Sequence, residues 1–141
     1  MADTLLDGLA RHLEGKALLT YDPDGTAGDC ALEHMPSGPD EVVVLTLYGG
    51  PEPDGKLGYD EPNLQVKVRG TADPQVSRDR CKAIYDELHG LGPVTLPDGT
   101  QLLSCFAIQA RPASLGVDAN GRHEHVVNYR LYVRSITTHR V

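Results

Sequence analysis

The stretch Leu64-Gln65-Val66-Lys67-Val68-Arg69-Gly70-Thr71, running into Ala72-Asp73-Pro74-Gln75-Val76-Ser77-Arg78-Asp79-Arg80-Cys81-Lys82-Ala83-Ile84-Tyr85-Asp86-Glu87-Leu88-His89-Gly90, decides the fold class. Its first part alternates: Leu64, Val66 and Val68 against Gln65, Lys67 and Arg69. A period of two predicts a strand with one face on a core and the other on solvent or a partner. The second part changes to helical spacing, with Ser77, Cys81, Ile84 and Leu88 on one stripe and Val76 and Ala83 beside it. Asp73 is suited to cap that helix, Pro74 to its first turn, and Gly90 to a left-handed turn ending it. The unit is a strand feeding a helix, and it contains no catalytic motif.

Working outward, residues 3–14 read as a second helix, capped by Asp3 or Thr4, with Leu5, Leu6, Leu9, Leu13 and Ala10 as its stripe and Gly15 placed to end it. Gly8 inside it costs on the order of 1 kcal/mol against Ala. Short strands are expected at 16–21 and 30–35, and Glu41 to Tyr48 is a β-branched run suited to a central strand buried on both faces. The segment 49–62 holds four glycines, three prolines and four acids, so it reads as a long loop of the kind that carries contacts. Pro97-Asp98-Gly99 marks a hairpin turn, Leu102 to Arg111 a strand, 112–121 a flexible loop, and Glu124 to Ser135 the last strand. In that last strand Val127, Tyr129, Leu131 and Val133 oppose Asn128, Arg130, Tyr132 and Arg134, and 136–141 read as a polar tail. The expectation is one α+β domain over 1–141: a largely antiparallel sheet of about five strands with two helices packed on one face.

Composition narrows the function classes. The 141-residue chain carries a formal charge of −7, six Tyr, one Phe and no Trp, which argues against a generic nucleic-acid surface or a base-stacking platform. Cys30, Cys81 and Cys105 have no metal-ligand spacing, and an odd count favours free thiols. No apolar run approaches the roughly 20 residues that cross a bilayer, and the N-terminus has neither the basic nor the apolar region of a secretory signal. The expectation is no membrane association and a cytoplasmic location where the chain is made.

Chemistry-bearing patterns are sparse. Asp22-Pro23-Asp24-Gly25-Thr26-Ala27-Gly28-Asp29 resembles a calcium loop with Glu33 at its twelfth position, but Pro23 and strand-like flanks break the pattern. An Asp/Gly-rich turn is the ordinary explanation. In a strand, His123 and His125 would project to one side and could share a metal, although zinc would need a further ligand. Neither a G-x-S-x-G serine nor a phosphate-binding glycine loop occurs. The loop carboxylates have no evident apolar pocket. The reading is no catalysis and no cofactor.

What remains is charge segregation. Lys67, Arg69, Arg130 and Arg134 lie on the polar faces of two strands, and the loops are acidic. A subunit whose acidic loops meet the basic face of a neighbour would have this pattern. The candidate contact residues are therefore Lys67, Arg69, Arg130 and Arg134, together with Asp54, Tyr59, Asp60 and Glu61 of the long loop.

The order of segments resembles the minor capsid or tail-terminator families of long-tailed bacteriophages. It rests on Asp3-Thr4-Leu5-Leu6-Asp7-Gly8-Leu9-Ala10, the Val-rich strand before a Gly/Pro loop, Pro62-Asn63-Leu64 to Gly70 before the helix ending Ile84 to Gly90, and Gln109 to Asp118 leading through Gly121-Arg122 into Val126 to Arg130. The resemblance implies a structural virion protein of the tail or neck. It would assemble as a ring, commonly a hexamer, at the head-proximal end of the tail tube, end tube polymerisation and join tail to head. Its implied partners are further copies of itself, the tail tube protein and a head-completion protein, with double-stranded DNA passing non-specifically through the ring. The alternatives are a head-completion or connector adaptor and, in another class, a metal-binding domain using His123 and His125.

Overall fold

A computed structural model describes residues 3–141. The strand-helix unit forms as its periodicities predict. Asn63–Arg69 is β4, and Pro74–Leu88 is α2. The Asp73 carboxylate accepts the Gln75 amide at 3.0 Å, and Gly90, at φ +86°, follows the end of the helix. Leu64, Val66 and Val68 are fully buried, as are Cys81, Ile84 and Leu88.

The remaining elements are α1 (Leu5–Gly15), β1 (Cys30–Leu32), β2 (Val42–Tyr48), β3 (Tyr59–Asp60), β5 (Val94–Thr95), β6 (Gln101–Ala107), β7 (Ala113–Val117) and β8 (His123–Arg134). They complete one eight-stranded sheet in the order β1-β2-β4-β8-β6-β5, with β3 and β7 also paired to β8. All pairings are antiparallel except β1 with β2. The α+β class is as expected. The sheet has more strands than the expected five because β3, β5 and β7 are too short or too exposed to show a period.

β8 is the spine. β4 and then β3 lie along one edge of it, and β7 and then β6 along the other. Between β6 and β7 the ladder is completed by a side chain. Gln109 Oε1 accepts the Asn128 amide at 3.1 Å, and its Nε2 donates to the carbonyls of Val126 at 3.1 Å and Arg111 at 3.0 Å.

Both helices cover the same face, α1 over β2 and α2 over β4, β8 and β6. One apolar cluster joins Leu9 and Leu13 of α1 to Ile84 and Leu88 of α2 and to Leu45, Val66, Val127 and Leu131 of the sheet. His12 meets Glu87 at 2.8 Å between the helices. Gly8 has a packing reason: a Cβ there would lie 2.1 Å from an oxygen of Asp98, whose carboxylate also accepts the Thr4 hydroxyl at 2.9 Å. The Asp3 carboxylate, one residue before Thr4, takes the Leu5 amide.

Several expectations fail. The strand expected at 16–21 is an irregular segment with one isolated bridge, Tyr21 to Gly28, because the chain leaves α1 through Ala17 at φ +60°. Gly15 is the last residue of α1, as expected, but the left-handed turn that follows falls at Ala17 rather than at the glycine. The flexible loop expected at 112–121 contains β7, paired to β8. The polar tail is docked. Val141 donates its amide to Lys56 O and accepts from Gly58 N, and Arg140 reaches the carbonyls of Leu57 and Tyr59.

Candidate assembly surface

The face opposite the helices carries alternate residues of the same strands. Tyr48, Phe106 and Tyr132 are exposed there, around Asn128 and Arg130. The Tyr48 hydroxyl donates to Asn128 Oδ1 at 2.9 Å, and Arg130 lies 5.9 Å from the Phe106 ring centre. At the end of β8 the Tyr59 and Tyr132 rings stack at 5.5 Å, and the Arg134 guanidinium sits 4.5 Å from the Tyr59 ring centre. These are amphipathic contacts, with apolar area beside polar groups that can change partners.

The long loop adjoins this end. The Asp54 carboxylate closes a turn on the amides of Lys56 and Leu57, which holds it below the usual carboxylate range. Asp60 pairs with Arg140 at 2.8 Å. The loop, the start of α1, the turn at 98–100 and the residues after β8 enclose a cleft of about 850 Å³. Glu61, Asp3 and Asp98 are among its acidic lining residues, and Tyr48, Pro51 and Ile136 among its apolar ones.

Of the contact residues expected from sequence, the structure therefore brings together Tyr59, Asp60 and Arg134, with Glu61 at the cleft. Arg130 stands on the open face, opposite Asn63. Lys67 is half-buried between Val44 and Val126. Arg69 does not face outward to a neighbour. It is 2% exposed, and its guanidinium donates to the carbonyls of Asp40 at 2.9 Å, Pro36 at 2.8 Å and Pro39 at 2.7 Å. Burial, and then the nearby Arg122 charge, lower its pKa. Its role is to hold the 36–40 loop across the start of β2. Sequence reasoning missed Arg140 and Phe106. The tail has no period to place Arg140, and in β6 a register shift between Leu102 and Ser104 breaks the alternation, so that Leu102 and Cys105 both enter the core and Phe106 turns outward.

The chemistry-bearing patterns have structural partners. Asp22 accepts from the amides of Asp24, Thr26 and Ala27, an Asx-type turn that lowers its pKa. Cys30, Cys81 and Cys105 are pushed up to about 12 by burial, so their thiols stay protonated. His125 is buried with Nδ1 2.7 Å from Ser77 Oγ. Among the described residues no group of three His, Cys, Asp or Glu side chains is placed to hold a metal, so His123 and His125 gain no third donor. Among the described residues no helix is long and apolar enough to cross a membrane.

The sheet is thus one-sided, with an open aromatic and basic face and a long loop at one end of it. The model of the family described as "Bacteriophage tail terminator protein" matches residues 12–134. The chain belongs to the bacteriophage tail terminator family. Membership places it with the structural components of phage virions. The match takes in both faces of the sheet and all of β8, and it ends before the docked tail. No curated protein and no solved structure matches the chain.

Proposed function

We propose that this tail terminator works as a ring of identical copies, six by the family resemblance, seated on the head-proximal end of the tail tube. There it ends tube polymerisation and offers a surface to the head-completion protein. The role is structural, without catalysis or a cofactor. The observation that carries it is the one-sided sheet. The helices bury one face in a continuous core, and the other face keeps Tyr48, Phe106, Tyr132, Arg130 and Arg134 partly exposed. Such a face meets a protein partner through aromatic anchors and a charged rim. Tyr59, Asp60, Glu61 and Asp54 of the long loop and Lys67, Arg130 and Arg134 of the strands supply the contacts between copies. Arg69 contributes by holding the 36–40 loop. DNA passes through the ring without sequence readout, in keeping with the chain's charge of −7.

The test is electron microscopy of the purified protein, alone and with polymerising tail tube protein. Rings, and tubes that stop growing with a ring at one end, are the expected result. Tubes that elongate unchanged in its presence, with the protein bound instead to the portal side of the neck, would make it a head-completion adaptor.

A further inference from the structure

The two ends of β8 differ in a complementary way. At its start lies an arm, the β7–β8 hairpin. All five β7 residues are exposed, Leu115 at 50% and Val117 at 56%, and none is charged. Exposed strand edges are ordinarily blunted by charge or covered by other chain. The neighbouring β6 is covered. Its Cys105 carbonyl accepts the Gly90 amide at 2.7 Å, and its Ala107 amide donates to His89 Nδ1 at 3.0 Å. No comparable bond reaches the outer edge of β7 among the described residues. Arg111, at the base of the arm, is exposed and has no acidic partner among the described residues.

At the far end of β8 lies the cleft beside the long loop. It carries exposed apolar surface from Tyr48 and Ile136, and the carboxylates of Glu61, Asp3 and Asp98 have no cationic partner among the described residues. Its two arginines are already engaged, Arg140 by Asp60 and Arg134 by the carbonyls of Gly58 and Val141. The cleft is thus open and lined by both exposed apolar side chains and carboxylates without a cation. The arm is apolar and has a free cation at its base.

These two features cannot meet within one chain. The arm pairs with β8 from His123 to Val126, and the cleft begins at Val133. Seven residues of strand, roughly 24 Å, separate Val126 from Val133, and the tip of the arm at His123 lies further still. A second copy can bring them together. We infer that the β7 arm of one copy docks in the cleft between the long loop and the β8 end of the next, with Leu115 and Val117 against Tyr48 and Ile136 and Arg111 against the carboxylates. The joint is heterologous, using different surfaces on the two copies, and repeating it by a fixed rotation closes a ring. The inference rests on the ring reading above and names the surfaces that would make it.

The experiment uses two double variants of the full chain: Leu115→Asp with Val117→Asp in the arm, and Tyr48→Asp with Ile136→Asp in the cleft. All four side chains are exposed, and each variant is first checked for an unchanged urea midpoint. Light scattering then follows association against concentration. Each variant alone is expected to raise the concentration for half-assembly at least about tenfold. A 1:1 mixture is expected to give heterodimers and nothing larger, because each mixed pair keeps one intact arm and one intact cleft. Independently, Val117→Cys and Ile136→Cys placed in the same chain should give a disulfide ladder ending at the closed ring, and neither alone should. Wild-type rings together with variants that assemble equally well, or with no ladder, would overturn the joint and leave the ring reading standing. A wild-type chain that stays monomeric at every concentration and on tail tubes would overturn both.

Discussion

On the helix side of the sheet, Val66 of β4 and Val127 and Leu131 of β8 are fully buried in one apolar cluster. One residue along the same strands, Lys67, Asn128 and Arg130 keep polar contacts or solvent. The two faces share a backbone and differ only in the parity of the residue number. The helix face is specified by packing within the chain. The open face keeps Tyr48, Phe106, Tyr132 and Arg130 accessible, except at the start of β2, where Val42 and Val44 are buried and Arg69 ties the 36–40 loop in place.

That contrast can be broken by substitution. Leu131→Ala should cost about 3 kcal/mol through lost transfer energy and a cavity. Arg130→Ala, its neighbour on the other face, should cost about 0.5 kcal/mol or less. Urea denaturation of the two variants measures the difference, and equal losses would mean that the faces are not distinct. Next in size, Arg69→Ala should cost about 2 kcal/mol, because three backbone carbonyls lose a charged donor. Lys67→Ala on the same strand should change the midpoint little. A smaller effect is expected from pH. Burial, then the charges of Arg78 and His123, lower the pKa of His125 below its ordinary 6.5. The unfolded chain therefore takes up this proton first. Stability is full above the ordinary value and is lost as pH falls through it towards the folded value. His125→Asn should flatten the slope of urea midpoint against pH between about 7.5 and 5.5. The smallest change is expected from Tyr129→Phe. The Tyr129 hydroxyl is buried with no hydrogen-bond partner among the described residues, so removing it should leave stability unchanged or raise it by about 1 kcal/mol. A loss of that size would reveal a buried water on that hydroxyl.

The helix face was legible in the sequence because burial imposes a period, and β4, α2 and β8 each show theirs. The Asp73 cap and Gly90 stop were legible for the same local reason. What escaped was set by distant chain. Alternation puts Arg69 on the correct face but carries no sign of the loop folded over it. β7 is exposed on both sides, so its composition, with Pro112 and Gly116, reads as loop. The docked tail depends on Arg140 finding carbonyls of Leu57 and Tyr59, more than eighty residues away. Of the candidate assembly surface, Arg130, Arg134 and the acidic loop could be named in advance, whereas Arg69 is buried. The cleft could not, because it exists only once the start of α1, the 98–100 turn and the tail are side by side.

Backbone hydrogen bonds are common to every sequence that adopts a given pairing, and only proline, which lacks the N–H, removes one singly. The link between β6 and β7 is different, since two bonds at the junction come from the Gln109 amide. That link is written in the gene as a codon. Selection can loosen or tighten the attachment of the β7 arm to the body of the protein at this one position and leave the rest of the ladder untouched.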